Sequence, residues 1–215
     1  MKRGRSLVIQ YPPRSMPSPL ILIGPMHAGK STIAGLLAER WGVRRICMDH
    51  VRWDYYREIG YDEARQKEAA ERGGGFAGMV AYWKPFEAHA VERLLADVTT
   101  ADADERCVID FGAGHSVYED PALFARVHKA LTPHAVVLLL PSPDPEESIA
   151  ILRARRDAMD PRQVGQPCDV NEHFVRHPSN RLLAKFTVYT KDRTPGQTVE
   201  EIATLRPPEP SKTLA

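Results

Sequence analysis

The chain is poor in cysteine, in aromatic residues and in net charge. Only three cysteines occur in 215 residues, Cys47, Cys107 and Cys168, and no two of them form a CxxC pair. That number and spacing exclude a disulfide framework and a zinc ribbon, and point to free thiols in a reducing compartment. Lysine and arginine number 29 against 28 acids, a formal charge of +1. A protein that grips nucleic acid usually carries a basic excess, so a DNA or RNA partner is not expected. No apolar run reaches the 18 or so residues that span a bilayer, so no membrane role is expected either. At the N-terminus the apolar stretch Leu7-Val8-Ile9 is too short for a secretory h-region and runs into Pro12 and Pro13. The expectation is a cytoplasmic protein, monomeric or homodimeric.

Proline is the residue in good supply, with 18 copies. Pro12, Pro13, Pro17 and Pro19 forbid regular structure, so residues 1–18 read as a flexible tail, with a weak edge strand at Leu7–Tyr11 and Met16 as a possible native start. Residues 207–215 read as a second tail. Between them strands and helices alternate. Leu20–Ile23, Arg44–Met48, Cys107–Phe111, Ala135–Leu140 and Phe186–Tyr189 are short apolar runs. Helices are expected over 31–41, 51–72 with a break at Gly60, and 79–97 with an early interruption at Pro85. Asp120-Pro121, Asp144-Pro145 and Thr194-Pro195-Gly196-Gln197 open further helices as caps. Gly73-Gly74-Gly75 reads as a flexible hinge, and 160–175, rich in Pro, Gly and Asp, as mobile. This order predicts an α/β fold: a five-stranded parallel sheet between two helical layers, in one domain over 19–206.

Gly24-Pro25-Met26-His27-Ala28-Gly29-Lys30-Ser31 fits G-x-x-x-x-G-K-[ST], after a buried strand and before a helix. In that setting backbone N–H groups from Gly24 through Thr32 curl around phosphate, with His27, Ala28 and Gly29 in the loop. Lys30 reaches the β- and γ-phosphates, and the Ser31 hydroxyl holds Mg²⁺. The cofactors expected are ATP and Mg²⁺. The chain has no Asn-Lys-x-Asp guanine reader and no LSGGQ-like signature. A chain this short must bind a phosphate acceptor on the same small sheet, which is the layout of small kinases.

From about Leu20 to Leu205 the layout resembles shikimate kinase and its relatives in the nucleoside monophosphate kinase fold. The run Arg176-His177-Pro178, Ala184, Val188-Tyr189-Thr190 and Arg193-Thr194-Pro195 is similar to that family's R-x-P, A, V-D-T and R-x-P pattern, with spacing preserved. The resemblance implies that Arg176 anchors the acceptor and that Arg193 and Pro195 touch adenine. It implies acceptor-binding helices over about 51–97 and a lid over about 153–175.

The family's D-x-D becomes Cys47-Met48-Asp49. Asp49 then holds an acceptor hydroxyl and takes its proton, or serves as N-cap of the helix at Val51. Asp110 compensates for the lost first Asp at the Mg²⁺, or is a polar strand end. F-R-x-x-E becomes Trp83-Lys84-Pro85-Phe86-Glu87, making Lys84 an anion anchor or a solvated helix charge. The glycine triplet becomes Gly112-Ala113-Gly114 at the substrate, followed by His115. Among Arg153, Arg155 and Arg156, Arg153 is the choice for catalysis by its spacing from strand four. The changed anchors keep a kinase and loosen the tie to shikimate itself. A nucleoside or nucleotide kinase and a P-loop regulatory ATPase are the alternatives.

Overall fold

The computed structural model describes residues 19–100, 106–164 and 170–205. The expected tails, the Leu7–Tyr11 strand, Cys168 and part of the expected lid lie outside the described residues. The strands are β1 (Leu20–Ile23), β2 (Arg44–Cys47), β3 (Cys107–Asp110), β4 (Ala135–Leu140) and β5 (Phe186–Tyr189). All pair in parallel, in the order β2-β3-β1-β4-β5. The three central strands are buried at every residue, as their uninterrupted apolar runs require. At the edges, β2 and β5 expose residues such as Arg44, Arg45 and Thr187.

The helices are α1 (Lys30–Trp41), α2 (Met48–Glu58), α3 (Glu63–Arg72), α4 (Phe76–Thr100), α5 (Pro121–Leu131), α6 (Pro145–Met159), α7 (Val170–Arg176), α8 (Ser179–Leu183) and α9 (Pro195–Thr204). The Asp120, Asp144 and Thr194 caps form as their sequences predict, Thr194 within a full capping box with Gln197.

Three expectations change. Helix α2 begins at Met48, so Asp49 lies inside its first turn and the N-cap is Cys47. Helix α4 runs through Pro85 without interruption. An interior proline costs about 3 kcal/mol, and the burial of Phe86, Ala88, Ala90 and Val91 along the same stretch offsets it. The glycine triplet is a close corner between α3 and α4 rather than a loose hinge. A Cβ on Gly73 would stand 2.4 Å from the Cα of Gly78 in α4. Of the segment 153–175, the described part holds the end of α6, a 3₁₀ turn at Pro161–Gln163 and most of α7.

Strand β1 is central, with β3 on one side and β4 on the other, although the chain visits β2 first. Ligands in such sheets bind beyond the carboxyl ends of the strands where the order reverses. The loop 24–29, Asp49, Asp110, Gly112 and the 190–195 loop all follow strand ends on that one edge.

Candidate active site

The loop after β1 owes its path to three residues in left-handed backbone, Gly24, His27 and Gly29. Gly24 has no substitute. A Cβ there would stand 2.5 Å from the Leu139 carbonyl oxygen of β4, and the φ of 133° is foreign to L side chains. His27 adopts φ 62° despite its side chain, a conformation that costs about 1 kcal/mol or more. Lys30 opens α1 and is buried, its Nζ donating to the Gly24 and Pro25 carbonyls at 2.9 and 2.8 Å.

Burial lowers the Lys30 pKa to about 8, against the pull of Asp49 and Asp110. This gives a prediction with a definite sign. Near pH 8 about half of the free protein lacks the proton. A triphosphate favours the charged ammonium and raises the pKa again. ATP binding should therefore take up about half a proton at pH 8 and almost none at pH 6.5. Calorimetry in two buffers of different ionisation enthalpy reads this directly. A zero uptake at pH 8 would show that Lys30 either keeps its proton in the free protein or does not meet phosphate.

Ser31 Oγ donates to Asp110 Oδ2 at 2.9 Å, and Arg45 grips both carboxylate oxygens, Nε to Oδ1 at 2.8 Å and a terminal nitrogen to Oδ2 at 2.9 Å. Burial pushes the Asp110 carboxyl up, but the hydrogen bonds from Arg45 and Ser31 outweigh it and hold the acid below its usual range. A hydroxyl paired with a permanently ionised acid beside a phosphate loop suits Mg²⁺. A carboxylate has about four lone-pair sites; Arg45 and Ser31 take three here. The Cys47 thiol also reaches this carboxylate, so a metal-bound water would take the place of one of these donors. Cys47, where the family pattern has an acid, pairs in register with Asp110. Burial raises its thiol pKa, with the Asp110 charge adding to it, so it is neutral at pH 7.

A cavity of about 520 Å³ opens beside the loop, lined by His27, Gly29, Lys30, Ser31 and Thr32 on one side and Arg155, Ala158 and Met159 of α6 on the other. Arg155 donates to the His27 carbonyl at 3.2 Å. Arg153 is exposed and does not line this cavity. Two residues along a helix turn the side chain by about 200°, so only one of the pair faces the loop. Ala28 is buried in the loop's inner wall. Arg193 follows β5 and forms an ion pair with Glu201, and Pro195 is the first residue of α9.

The side where the sequence leads one to expect the acceptor is built on carboxylates seated over glycines. Asp49 is half exposed. A Cβ on Gly112 would fall 2.2 Å from Asp49 Oδ1 and 2.9 Å from His115 Nδ1. A Cβ on Gly114 would fall 2.2 Å from Glu87 Oε1. Ala113, between them, is buried and packs with Val117 and Phe174. The two glycines therefore make room for acids, which is a stricter requirement than turn geometry.

His115 is completely buried, 3.3 Å from the Tyr56 hydroxyl through Nε2, and its Nδ1 has no hydrogen-bond partner. Burial lowers its pKa to about 3 despite Asp49 nearby, so it is neutral at any pH the protein meets in a cell.

Lys84 is neither solvated nor open to an anion. It is buried, with Nζ 2.7 Å from Glu87 Oε2 and 2.9 Å from the Gly114 carbonyl. Burial raises the Glu87 pKa, and the Lys84 charge opposes that rise. Arg176 stands on the surface, its Nε 3.1 Å from Glu172 Oε1 and a terminal nitrogen 2.5 Å from Glu146 Oε1. Sequence reasoning missed Arg45 and Arg52. The first signal was available: a basic residue two positions before the cysteine that replaces an acid.

No family model and no curated protein sequence matches the chain. Solved structures do. The shikimate kinase from Acinetobacter baumannii in complex with shikimate superposes with TM-score 0.55 at 20% identity, covering 87% of this chain and 92% of that one. The shikimate kinase from Aquifex aeolicus gives 0.53 at 19% identity, with 86% and 93% covered. That from Bacteroides thetaiotaomicron gives 0.52 at 18%, with 86% and 96% covered. At such identities the likeness is one of architecture, and it extends over nearly the whole of each partner. The chain has the fold of the shikimate kinases.

Proposed function

We propose that this chain is an ATP-dependent kinase that transfers the γ-phosphoryl group to a hydroxyl of a small, polar, anionic metabolite. The observation that supports this reading is that Lys30 of the phosphate loop feels the charge of Asp49 as well as that of Asp110, while Asp49 is itself half exposed. A phosphate loop alone would serve any ATPase. An exposed carboxylate held beside that lysine, on a glycine platform, suits a second substrate.

Phosphoryl transfer asks for position and charge neutralisation. Lys30 would leave the Gly24 and Pro25 carbonyls for the β- and γ-phosphates. Ser31 and Asp110 would hold Mg²⁺, which when bound draws charge from the same phosphates. Asp49 would orient the acceptor hydroxyl in line and accept its proton. Arg155, already at the His27 carbonyl, would be the α6 arginine to meet the transferring group, and Arg153 would serve only if α6 turned. Arg193 and Pro195 remain the proposed adenine contacts.

Lys30→Ala should abolish stabilisation by ATP. At 100 times Kd a ligand adds about 2.7 kcal/mol, which for a chain of this size is a Tm rise of roughly 5–11 °C. Differential scanning calorimetry with and without ATP measures it, and a rise undiminished in the variant would remove the phosphate loop from the argument.

A second reading, a nucleoside kinase, is favoured by the rings of Trp53, Tyr61, Tyr82 and Phe86. Tyr61 lies 5.3 Å from Trp53, 6.0 Å from Tyr82 and 5.5 Å from Phe86, centre to centre. ATP turnover with pools of hydroxy acids, sugars and nucleosides separates the two. Turnover indifferent to every pool would support a regulatory ATPase.

A further inference from the structure

His115 lies beside Asp49 and has no part in the chemistry above. Its ring is completely buried, with Tyr56 and Phe111 6.4 and 6.3 Å away, centre to centre. Nε2 meets the Tyr56 hydroxyl at 3.3 Å, and Nδ1 has no hydrogen-bond partner. Which nitrogen carries the proton follows from Tyr56. That hydroxyl takes a hydrogen bond from the Arg52 guanidinium, which is itself stacked 4.5 Å from the centre of a Trp53 ring and 5.5 Å from Trp83. Burial pushes the phenol far up, so Tyr56 keeps its hydrogen. A hydroxyl has one hydrogen to give. Arg52 is a donor and cannot receive it, which leaves His115 Nε2. A neutral imidazole that accepts at Nε2 carries its own proton on Nδ1. The electrostatics agree. Burial keeps the ring neutral, and the largest pull against it is the Asp49 charge, with a smaller one from the Gly112 carbonyl. An N–H suits those neighbours, and a bare lone pair would oppose them.

Gly112 marks where that N–H leads. A Cβ there would stand 2.2 Å from Asp49 Oδ1 and 2.9 Å from His115 Nδ1, so acid and ring close on one point from two sides. Asp49 Oδ1 also stands 3.4 Å from Arg52, long for a charge-assisted bond of about 2.7–2.9 Å. The half-exposed carboxylate is thus loosely held and can turn. We propose that His115 is a positioning residue for Asp49: its Nδ1–H, aimed by the line from Arg52 through Tyr56, receives one carboxylate oxygen and leaves the other for the acceptor hydroxyl. The acceptor hydroxyl rests on the kinase reading above; the bond from His115 to Asp49 does not. A buried N–H without a partner is costly, and this turn of Asp49 satisfies it. The choice of donor matters for the chemistry. A cation would hold a carboxylate and lower its affinity for a proton, whereas a neutral N–H holds it with less loss of basicity.

The first test needs no substrate. Nitrogen-15 NMR of the full chain with labelled histidine reads the tautomer of each ring, His115 being assigned through its backbone resonances. Its Nδ1 should carry the proton. That signal should shift in Asp49→Asn and stay in Asp54→Asn, an exposed acid of the same helix. Tyr56→Phe should release the ring to a mixture of tautomers. A proton on Nε2, or an Nδ1 signal indifferent to Asp49, would overturn the assignment whatever the protein phosphorylates. The second test uses the acceptor found among the pools above. His115→Gln should lower kcat by about tenfold to a hundredfold, the worth of a hydrogen bond to a charged group, with KM little changed. In His115→Asn the amide nitrogen stands near the place of Nδ1, and most of kcat should return. Equal loss in both variants, or a change in KM alone, would make His115 a packing residue and overturn the proposal. If no pool is phosphorylated the kinase reading falls, and the NMR result alone then upholds or overturns the bond from His115 to Asp49.

Discussion

Replacing Asp49 by asparagine should lower phosphorylation of the acceptor by about 10²–10⁴-fold, the range for losing a general base, while the stabilising effect of ATP persists. The substitution keeps the shape of the side chain and its place in the first turn of α2. What it removes is the capacity to take a proton from the attacking hydroxyl. A companion variant reaches the same residue without changing it. In Gly112→Ala the new methyl would meet Asp49 Oδ1 at 2.2 Å and His115 Nδ1 at 2.9 Å. His115 is locked in the core, so the half-exposed carboxylate is the group that yields. The expected result is a comparable loss of transfer with the fold retained. Single-turnover phosphorylation beside an ATP titration measures both. Transfer at the wild-type rate in Asp49→Asn would take that residue out of the chemistry.

Glu87→Gln should destabilise the protein by about 3–5 kcal/mol, because it leaves the Lys84 ammonium charged, buried and unpaired. For a chain of this length that is a fall in Tm of roughly 6–20 °C. The paired replacement Lys84→Met with Glu87→Leu should recover most of the loss, since two apolar groups need no desolvation of charge. Thermal and urea unfolding of the three variants gives the comparison. A cost below about 1 kcal/mol for Glu87→Gln, the worth of an exposed pair, would mean that water reaches Lys84 and that it can turn toward a ligand. The same experiment therefore decides between a structural Lys84 and an anchoring one.

The parts legible in the sequence were those whose physics is local. The phosphate loop is consecutive residues, and its glycines are required by φ angles and a neighbouring carbonyl. The central strands announce themselves as unbroken apolar runs because both faces are covered. What failed to show were facts made by the packing of distant elements. Lys84 matches an anchoring position by alignment, yet its charge is cancelled three residues on, once α4 buries that face. Counting from strand four suggested Arg153, but helix phase turns Arg155 to the loop. Arg52 carries no motif. It becomes notable only when α2 and α4 bring Trp53 and Trp83 to either side of it. Pro85 looked like a break because propensity was weighed without the core behind it.

The grip of Arg45 on Asp110 ties the edge strand β2 to its neighbour β3 at the carboxyl end of the sheet. Asp49 follows Arg45 by only four residues, and Asp110 in turn receives Ser31 from the nucleotide side. Donor and acceptor supports thus belong to one short truss of backbone and ion pair. In the kinase proposed above, the gap that the phosphoryl group must cross would be set by β2 and β3 before either substrate arrives. Movement elsewhere would alter who enters and how long they stay, and the reach of the attack would be the same each time.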